Sequence, residues 1–199
     1  MASLLGLERS ALAGLATAGH FGRADATGLT IVERTDIAFA SVIAKRDQRG
    51  TLATACDTAF GLVPPDGPRR VAAGALTFAG TGPGQWIASA EADPSLAIRL
   101  RTLLGPFAAV ADQSDSRLVL HLCGPQVRDA LAKGVPIDLH PEVFKVGDVA
   151  VTVAAYSGVQ IDRLDAATWQ LTTPRSTAGS FWSWLSASAA EFGYDVVMK

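Results

Sequence analysis

The chain has 199 residues, of which 49% are hydrophobic and 18% charged, with a net charge of −2. That length suits one domain or two closely packed halves, and it buries enough surface, on the order of 70% of the unfolded total, to need no disulfide or metal staple. Disorder is excluded, and seventeen basic against nineteen acidic residues, with no Lys/Arg stripe, exclude a nucleic-acid binder. The charged fraction lies below the roughly 25% usual for soluble domains, which points to a surface partly covered by a partner. Cys56 and Cys123 lack CxxC spacing, as expected in a reducing compartment. Residues 1–19 carry no basic n-region, Glu8-Arg9 interrupt the apolar run, and no stretch reaches the roughly 18 apolar residues of a membrane span. The expectation is a cytoplasmic protein.

In chain order, residues 1–25 are Ala/Gly/Leu-rich without clear periodicity and read as an N-terminal arm, loosely ordered or laid across a neighbour. Leu29 to Arg34 and Ile37 to Ala44 read as strands around a Thr35-Asp36 turn. Leu52 to Phe60 reads as a helix closed by Gly61, and Pro64 to Arg70 as loop. Ala75 to Ala79 and Gln85 to Ala90 are strands across the Gly80 to Gly84 turn. Asp93 with Pro94 opens a helix whose Leu96, Leu100, Leu103 and Leu104 share one face, stopped by Gly105-Pro106. Arg117 to Cys123 alternates as a strand with Leu118, Leu120 and Leu122 on one side. Gly124-Pro125 leads into a helix presenting Val127, Ala130 and Leu131, ended by Gly134. Three strands follow, Val149 to Tyr156, Val159 to Leu164 and Thr168 to Thr173, joined by turns at Ser157-Gly158 and Asp165-Ala166-Ala167. A helix from Thr177 to Phe192 closes the chain, with Gly193 just past its end.

Turns this short forbid parallel crossovers, so the class is α+β with antiparallel sheets backed by helices. Trp86 before one helix echoes Trp169 before another, which suggests two similar halves. The expected organisation is an arm at 1–25 and one α+β domain at 26–199, with halves at about 26–111 and 112–199.

Possible sites were weighed by chemistry. The GTGPG run at Gly80 to Gly84 lacks the GK[ST] ending of a phosphate loop and leads into a strand, so it is a hairpin turn. His20, His121 and His140 have no co-ligands at metal spacing, although Asp138 stands two residues from His140. His121 sits on the less apolar face of its strand and reads as structural. Asp112-Gln113-Ser114-Asp115 places two carboxylates in an open turn, where they cap backbone amides rather than work as an acid/base pair. Ser176, Ser180, Ser183, Ser186 and Ser188 lie in no GxSxG elbow. The aromatics Phe181, Trp182, Trp184, Phe192 and Tyr194 crowd the tail. Trp184 falls on the core-facing stripe, and Trp182 on another side, as a cap on the core edge or an anchor for a partner. Catalytic, cofactor-binding and metal residues are therefore all read as none.

Several segments, taken in order, resemble the gamma subunit family of heterotetrameric sarcosine oxidases. They are Gly6-Leu7-Glu8-Arg9, Gly84 to Ile87, Asp112 to Arg117, Cys123-Gly124-Pro125 with Val127-Arg128, and Leu131 to Gly134. Ile137 to Pro141 with Phe144, and Arg175-Ser176 with Ser180 to Leu185, complete the set. The resemblance implies a fold of ferredoxin-like halves, like the folate-binding part of the glycine-cleavage T-protein. It implies alpha, beta and delta partner subunits, with alpha the direct contact. FAD, FMN, NAD, tetrahydrofolate and zinc would sit on those subunits and none on this chain. The complex would oxidise sarcosine to glycine and pass the one-carbon unit to tetrahydrofolate. The alternatives are a stand-alone folate-binding one-carbon transferase, the equivalent subunit of a related N-methyl amino acid oxidase or dehydrogenase, and an unrelated homo-oligomeric scaffold.

Overall fold

The computed structural model describes residues 10–198; residues 1–9, which include the Gly6-Leu7-Glu8-Arg9 segment, lie outside the described residues. The described chain opens with strands β1 (Gly19–Phe21), β2 (Leu29–Glu33) and β3 (Ile37–Ala44), followed by helix α1 (Arg49–Phe60) and strands β4 (Arg70–Ala73), β5 (Leu76–Gly82) and β6 (Gln85–Glu91). Then come α2 (Leu96–Leu104), β7 (Ala108–Asp112), β8 (Arg117–Cys123), α3 (Val127–Ala132), β9 (Val149–Ala154), β10 (Ser157–Arg163), β11 (Thr168–Pro174), α4 (Ala178–Ala189) and β12 (Tyr194–Val197). Contacts divide it into two units: residues 36–115 with 145–151, and residues 10–35 with 116–144 and 152–198.

The unit built on residues 36–115 is a βαββαβ module. Its five-stranded sheet runs β4-β5-β6-β3-β7, antiparallel throughout. Without the β4 extension this is the ferredoxin-like arrangement, in which each helix returns the chain to the sheet. Apolar alternation in β3 and β6 aims Ala40, Val42, Trp86, Ala88 and Ala90 at one side. There they meet Leu52 and Cys56 of α1 and Leu96, Leu100 and Leu104 of α2, all buried. Leu103, expected on the same face, is 43% exposed. Burial also pushes the Cys56 thiol up to about 11. Gly61 closes α1 in the left-handed conformation.

The other unit repeats the module with one exchange. Its sheet runs β1-β12-β2-β8-β11-β10-β9. β8, α3, β10, β11 and α4 supply strands one to three and both helices. The fourth strand, antiparallel to β8, is β2 from the front of the chain, and β12 then adds parallel to β2. This exchange sets residues 10–35 with the later part of the chain, and backbone bonds from Arg70 to Gly147 and from Val149 to Pro68 set 145–151 with the earlier part, whereas the expected halves, 26–111 and 112–199, are cut at a single point. The Trp86 and Trp169 echo has a structural counterpart. Each lies on the third strand of its module, paired with Val42 of β3 and Leu122 of β8 respectively.

The expected arm at 1–25 is different over its described part. Ser10 Oγ and the backbone N–H groups of Ala11 and Leu12 donate to the buried carboxylate of Glu33, at 2.5, 2.8 and 3.3 Å. Leu12 is 1% exposed, and β1 pairs with β12. A carboxylate can gather several donors where a neutral side chain cannot, so residues 10–21 are tied to their own unit. The short strands β1, β4, β7 and β12 were not expected from periodicity. The turn placed at Ser157-Gly158 falls instead at Ala155-Tyr156. Both have positive φ, 46° and 70°, as a two-residue hairpin of the twist-matched type requires.

The β1–β12 pairing carries a titratable clasp. His20 Nε2 donates to the Arg23 carbonyl at 2.8 Å and Nδ1 meets the Asp195 carboxylate at 2.7 Å. The carbonyl first and the carboxylate second favour the charged ring and raise its pKa above the ordinary 6.5. A raised folded-state pKa stabilises fully below the unfolded value and loses that contribution as pH climbs through the folded one. Amide-exchange protection of β1 should therefore fall as pH rises above the ordinary 6.5, and Asp195→Asn should flatten the dependence. An unchanged profile in the Asn variant would contradict the clasp.

Candidate functional site

The sheet of the second unit has one apolar face and one polar face. Leu118, Leu120 and Leu122 of β8 point to the first, with Leu171 and Trp169 of β11. On the other face, register brings His121 beside Gln170, and Gln170 beside Asp162. The polar groups then join up. Arg34 Nη1 approaches His121 Nδ1 at 3.3 Å and His121 Nε2 meets Gln170 Oε1 at 3.1 Å. Gln170 Nε2 donates toward Asp162 Oδ2 and Thr172 Oγ1, both at 3.4 Å, and Gln160 Nε2 donates to Asp162 Oδ1 at 2.8 Å. Since arginine can only donate, Nδ1 of His121 faces a donor and Nε2 faces the Gln170 carbonyl oxygen. Gln160, Asp162 and Gln170 are buried, so satisfied partners keep this face from being costly. Its signal in the sequence is the polar residues at alternate positions of β10 and β11.

The remaining expected residues stay apart. The Gly80 to Gly84 run is the bulged end of β5 and a Pro83-Gly84 turn into β6. Asp112 accepts from the Ser114 N–H at 2.9 Å and from its Oγ at 2.8 Å, while Ser114 Oγ accepts from the Phe39 N–H at 3.0 Å. The polar loop thus latches β7 to β3, and Asp115 beside it is exposed. His140 is exposed, its N–H bound to the Asp138 carboxylate at 2.8 Å and its ring 3.8 Å from Glu142. Ser180, Ser183 and Ser186 donate to the carbonyls of Thr177, Gly179 and Ser183 along α4, the local bonding that hydroxyls make in helices.

Trp182 resolves one alternative. It is 9% exposed and meets the Tyr194 ring edge-on at 6.5 Å, so it closes the core of its own unit. Trp184, read as core, is half-buried and tilts against Phe181 at 5.5 Å.

One cavity lies in this unit, about 350 Å³ in volume, and its lining includes Cys123, Gly124, Arg128, Arg163, Ala167 and Trp169. Arg163 is buried, its Nη1 donating to the Phe144 carbonyl at 2.5 Å and its guanidinium over the Trp169 ring at 5.3 Å. No three His, Cys, Asp or Glu side chains among the described residues group as a metal site. No helix among them is long and apolar enough to cross a membrane.

Two ferredoxin-like halves, one completed by a strand from the chain's front, define the class: an α+β protein of the aminomethyltransferase-T fold. The fold matches glycine cleavage system aminomethyltransferase T from Bartonella henselae at a TM-score of 0.65 and 13% identity, over 86% of this chain and 48% of that one. The chain belongs to the sarcosine oxidase gamma subunit family, whose model matches residues 46–191. Sarcosine oxidase subunit gamma of Corynebacterium sp. strain U-96 is 31% identical, over 94% of this chain and 92% of the relative. That of an Arthrobacter species is 33% identical, over 76% and 78%. A chain of the heterotetrameric sarcosine oxidase from Corynebacterium sp. U-96, in complex with pyrrole 2-carboxylate, superposes with a TM-score of 0.77 at 27% identity, covering 92% of this chain and 95% of that one.

Proposed function

We propose that this chain is the structural, non-catalytic gamma subunit of a heterotetrameric sarcosine oxidase. The observation that carries the reading is the end-to-end correspondence with a chain of the Corynebacterium heterotetramer, over 95% of that chain. In this reading alpha, beta and delta subunits carry FAD, FMN, NAD, tetrahydrofolate and zinc. The complex oxidises sarcosine to glycine and hands the one-carbon unit to tetrahydrofolate, in the cytoplasm, where Cys56 and Cys123 remain free thiols. The assembly surface is better sought on β9 than on Trp182. That strand ends its sheet, leaves Val151 61% and Val153 47% exposed, and turns at a fully exposed Tyr156. An apolar edge of this kind favours a covering partner.

The rival reading, a one-carbon transferase, draws on the aminomethyltransferase-T fold, but a fold shared at 13% identity does not carry an activity. The two readings separate on the side chains. Asp112 and His140 are held by backbone and loop contacts, and Asp115 is exposed. Replacing all three by Ala should leave sarcosine turnover of the assembled complex within about threefold, against the roughly hundredfold loss expected for a catalytic group. Subunit stoichiometry must be measured on the same sample. A hundredfold fall with intact assembly would return the chain to catalysis.

A further inference from the structure

We propose that the cavity beside Trp169 is a binding site for a small oxyanion, a carboxylate or phosphate borne by a molecule of few atoms, held by Arg128 and Arg163. The two modules offer an internal comparison. In each, the third-strand tryptophan has a hairpin neighbour: Gly80 beside Trp86, and Arg163 beside Trp169. In the first module the chain itself fills this place. Trp86 Nε1 donates to the Pro65 carbonyl at 2.8 Å, and a Cβ on Gly80 would meet the Gly67 carbonyl oxygen at 2.0 Å. In the second module the equivalent place holds a guanidinium and an open cavity of about 350 Å³.

That guanidinium is costly where it stands. Arg163 is 7% exposed, and its Nε is buried without a hydrogen-bond partner among the described residues. A buried cation that keeps one donor unmatched is destabilising unless an anion completes it. No carboxylate lines the cavity. Of the acids nearest in sequence, Asp162 accepts from Gln160 and Gln170 at 2.8 and 3.4 Å, and Asp165 accepts from the backbone N–H groups of Ala167 and Thr168 at 2.7 and 2.8 Å, feeling the Arg163 charge only as its weakest influence. The Phe144 carbonyl and the stack of Phe144 on Trp169, at 5.7 Å, fix the Arg163 fork in place. Arg128 adds a second, half-buried fork on the lining. Two planar guanidiniums suit the oxygens of carboxylate or phosphate. Short walls from Gly124, Pro125, Ala166 and Ala167 leave room for a small body only, at the lower end of the roughly 300–1,000 Å³ range of ligand sites.

Cys123 supplies the readout. It is exposed and lines the cavity, whereas Cys56 is buried with its thiol pushed up to about 11. Iodoacetamide should therefore label Cys123, followed by mass spectrometry of its peptide in the co-purified complex. About 10 mM succinate or inorganic phosphate should slow that labelling about tenfold, the mass-action result for a dissociation constant of about 1 mM. Arg128→Gln should abolish the protection at unchanged melting temperature, and Arg128→Lys, which keeps the charge without the fork, should lose most of it. Labelling indifferent to both anions, or protection that survives undiminished in either variant, would overturn the proposal. So would a Cys123 already shielded in the complex without added anion, since a partner side chain would then occupy the cavity. The proposal does not rest on the sarcosine oxidase reading, whose failure would appear in turnover and not in this labelling.

Discussion

Gly193→Ala should destabilise the unit that holds it by about 3–5 kcal/mol, from a backbone conformation that L side chains rarely adopt, φ 67° with ψ 138°, and an overpacked contact together. Gly193 links the end of α4 to β12 at φ +67°, and a Cβ there would lie 1.8 Å from the Ala26 carbonyl oxygen and 2.6 Å from that of Arg23. Both oxygens are backbone, so no side chain can swing aside. The close approach is required because β12 must slot in parallel beside β2, just after the 26–28 segment that leads into that strand. Gly61→Ala is the control. It sits in the ordinary left-handed region, φ 64° with ψ 31°, with nothing within 4 Å of the added methyl, and should cost only about 1–2 kcal/mol. Chemical denaturation of both variants measures the difference. Equal losses would show that neither the approach of Ala26 nor the rarer backbone conformation restricts position 193.

Trp182→Ala should cost about 3–5 kcal/mol of stability, the usual result of removing a buried indole. Trp182 is buried and set edge-on to Tyr194, which itself stacks on Phe21 of β1 at 5.5 Å. Losing the indole should therefore loosen β12 and β1 together, visible as increased amide exchange at both strands. Native totals of about 5–15 kcal/mol make such a loss easy to read in a melt. A variant of unchanged stability that fails to assemble would instead make Trp182 an anchor for a partner.

These two positions show how far sequence reasoning reached. The repeated strand–turn–strand–helix order was legible because Leu118, Leu120 and Leu122 alternate and Val127, Ala130 and Leu131 share a helical face. Gly193 was recognised as the end of the last helix, but nothing local announced β12 behind it. A four-residue strand carries too little periodicity, and its place is set by contacts with β2, more than 150 residues earlier. The same non-local pairing moved the boundary between halves, since β2 precedes the first module and completes the second. The sequence leaves Trp182 open between a core-edge cap and a partner anchor, and puts Trp184 in the core, for a different reason. Their separation of two residues puts them on different sides of α4, and β12, which was not anticipated, decides which side is covered. The polar face of β10 and β11 was written in alternate residues, but its partners Arg34 and His121 become neighbours only through register. The cavity needed Arg128 and Arg163, brought together by the fold alone.

The most direct test of the gamma-subunit reading is native mass spectrometry of material purified through a tag on this chain and co-expressed with its partner genes, with sarcosine turnover measured on the same sample. The account predicts a single assembly of four different chains, one copy of this chain in each, that oxidises sarcosine. Recovery of this chain alone or as a homo-oligomer, transferring one-carbon units to tetrahydrofolate without the other subunits, would contradict it.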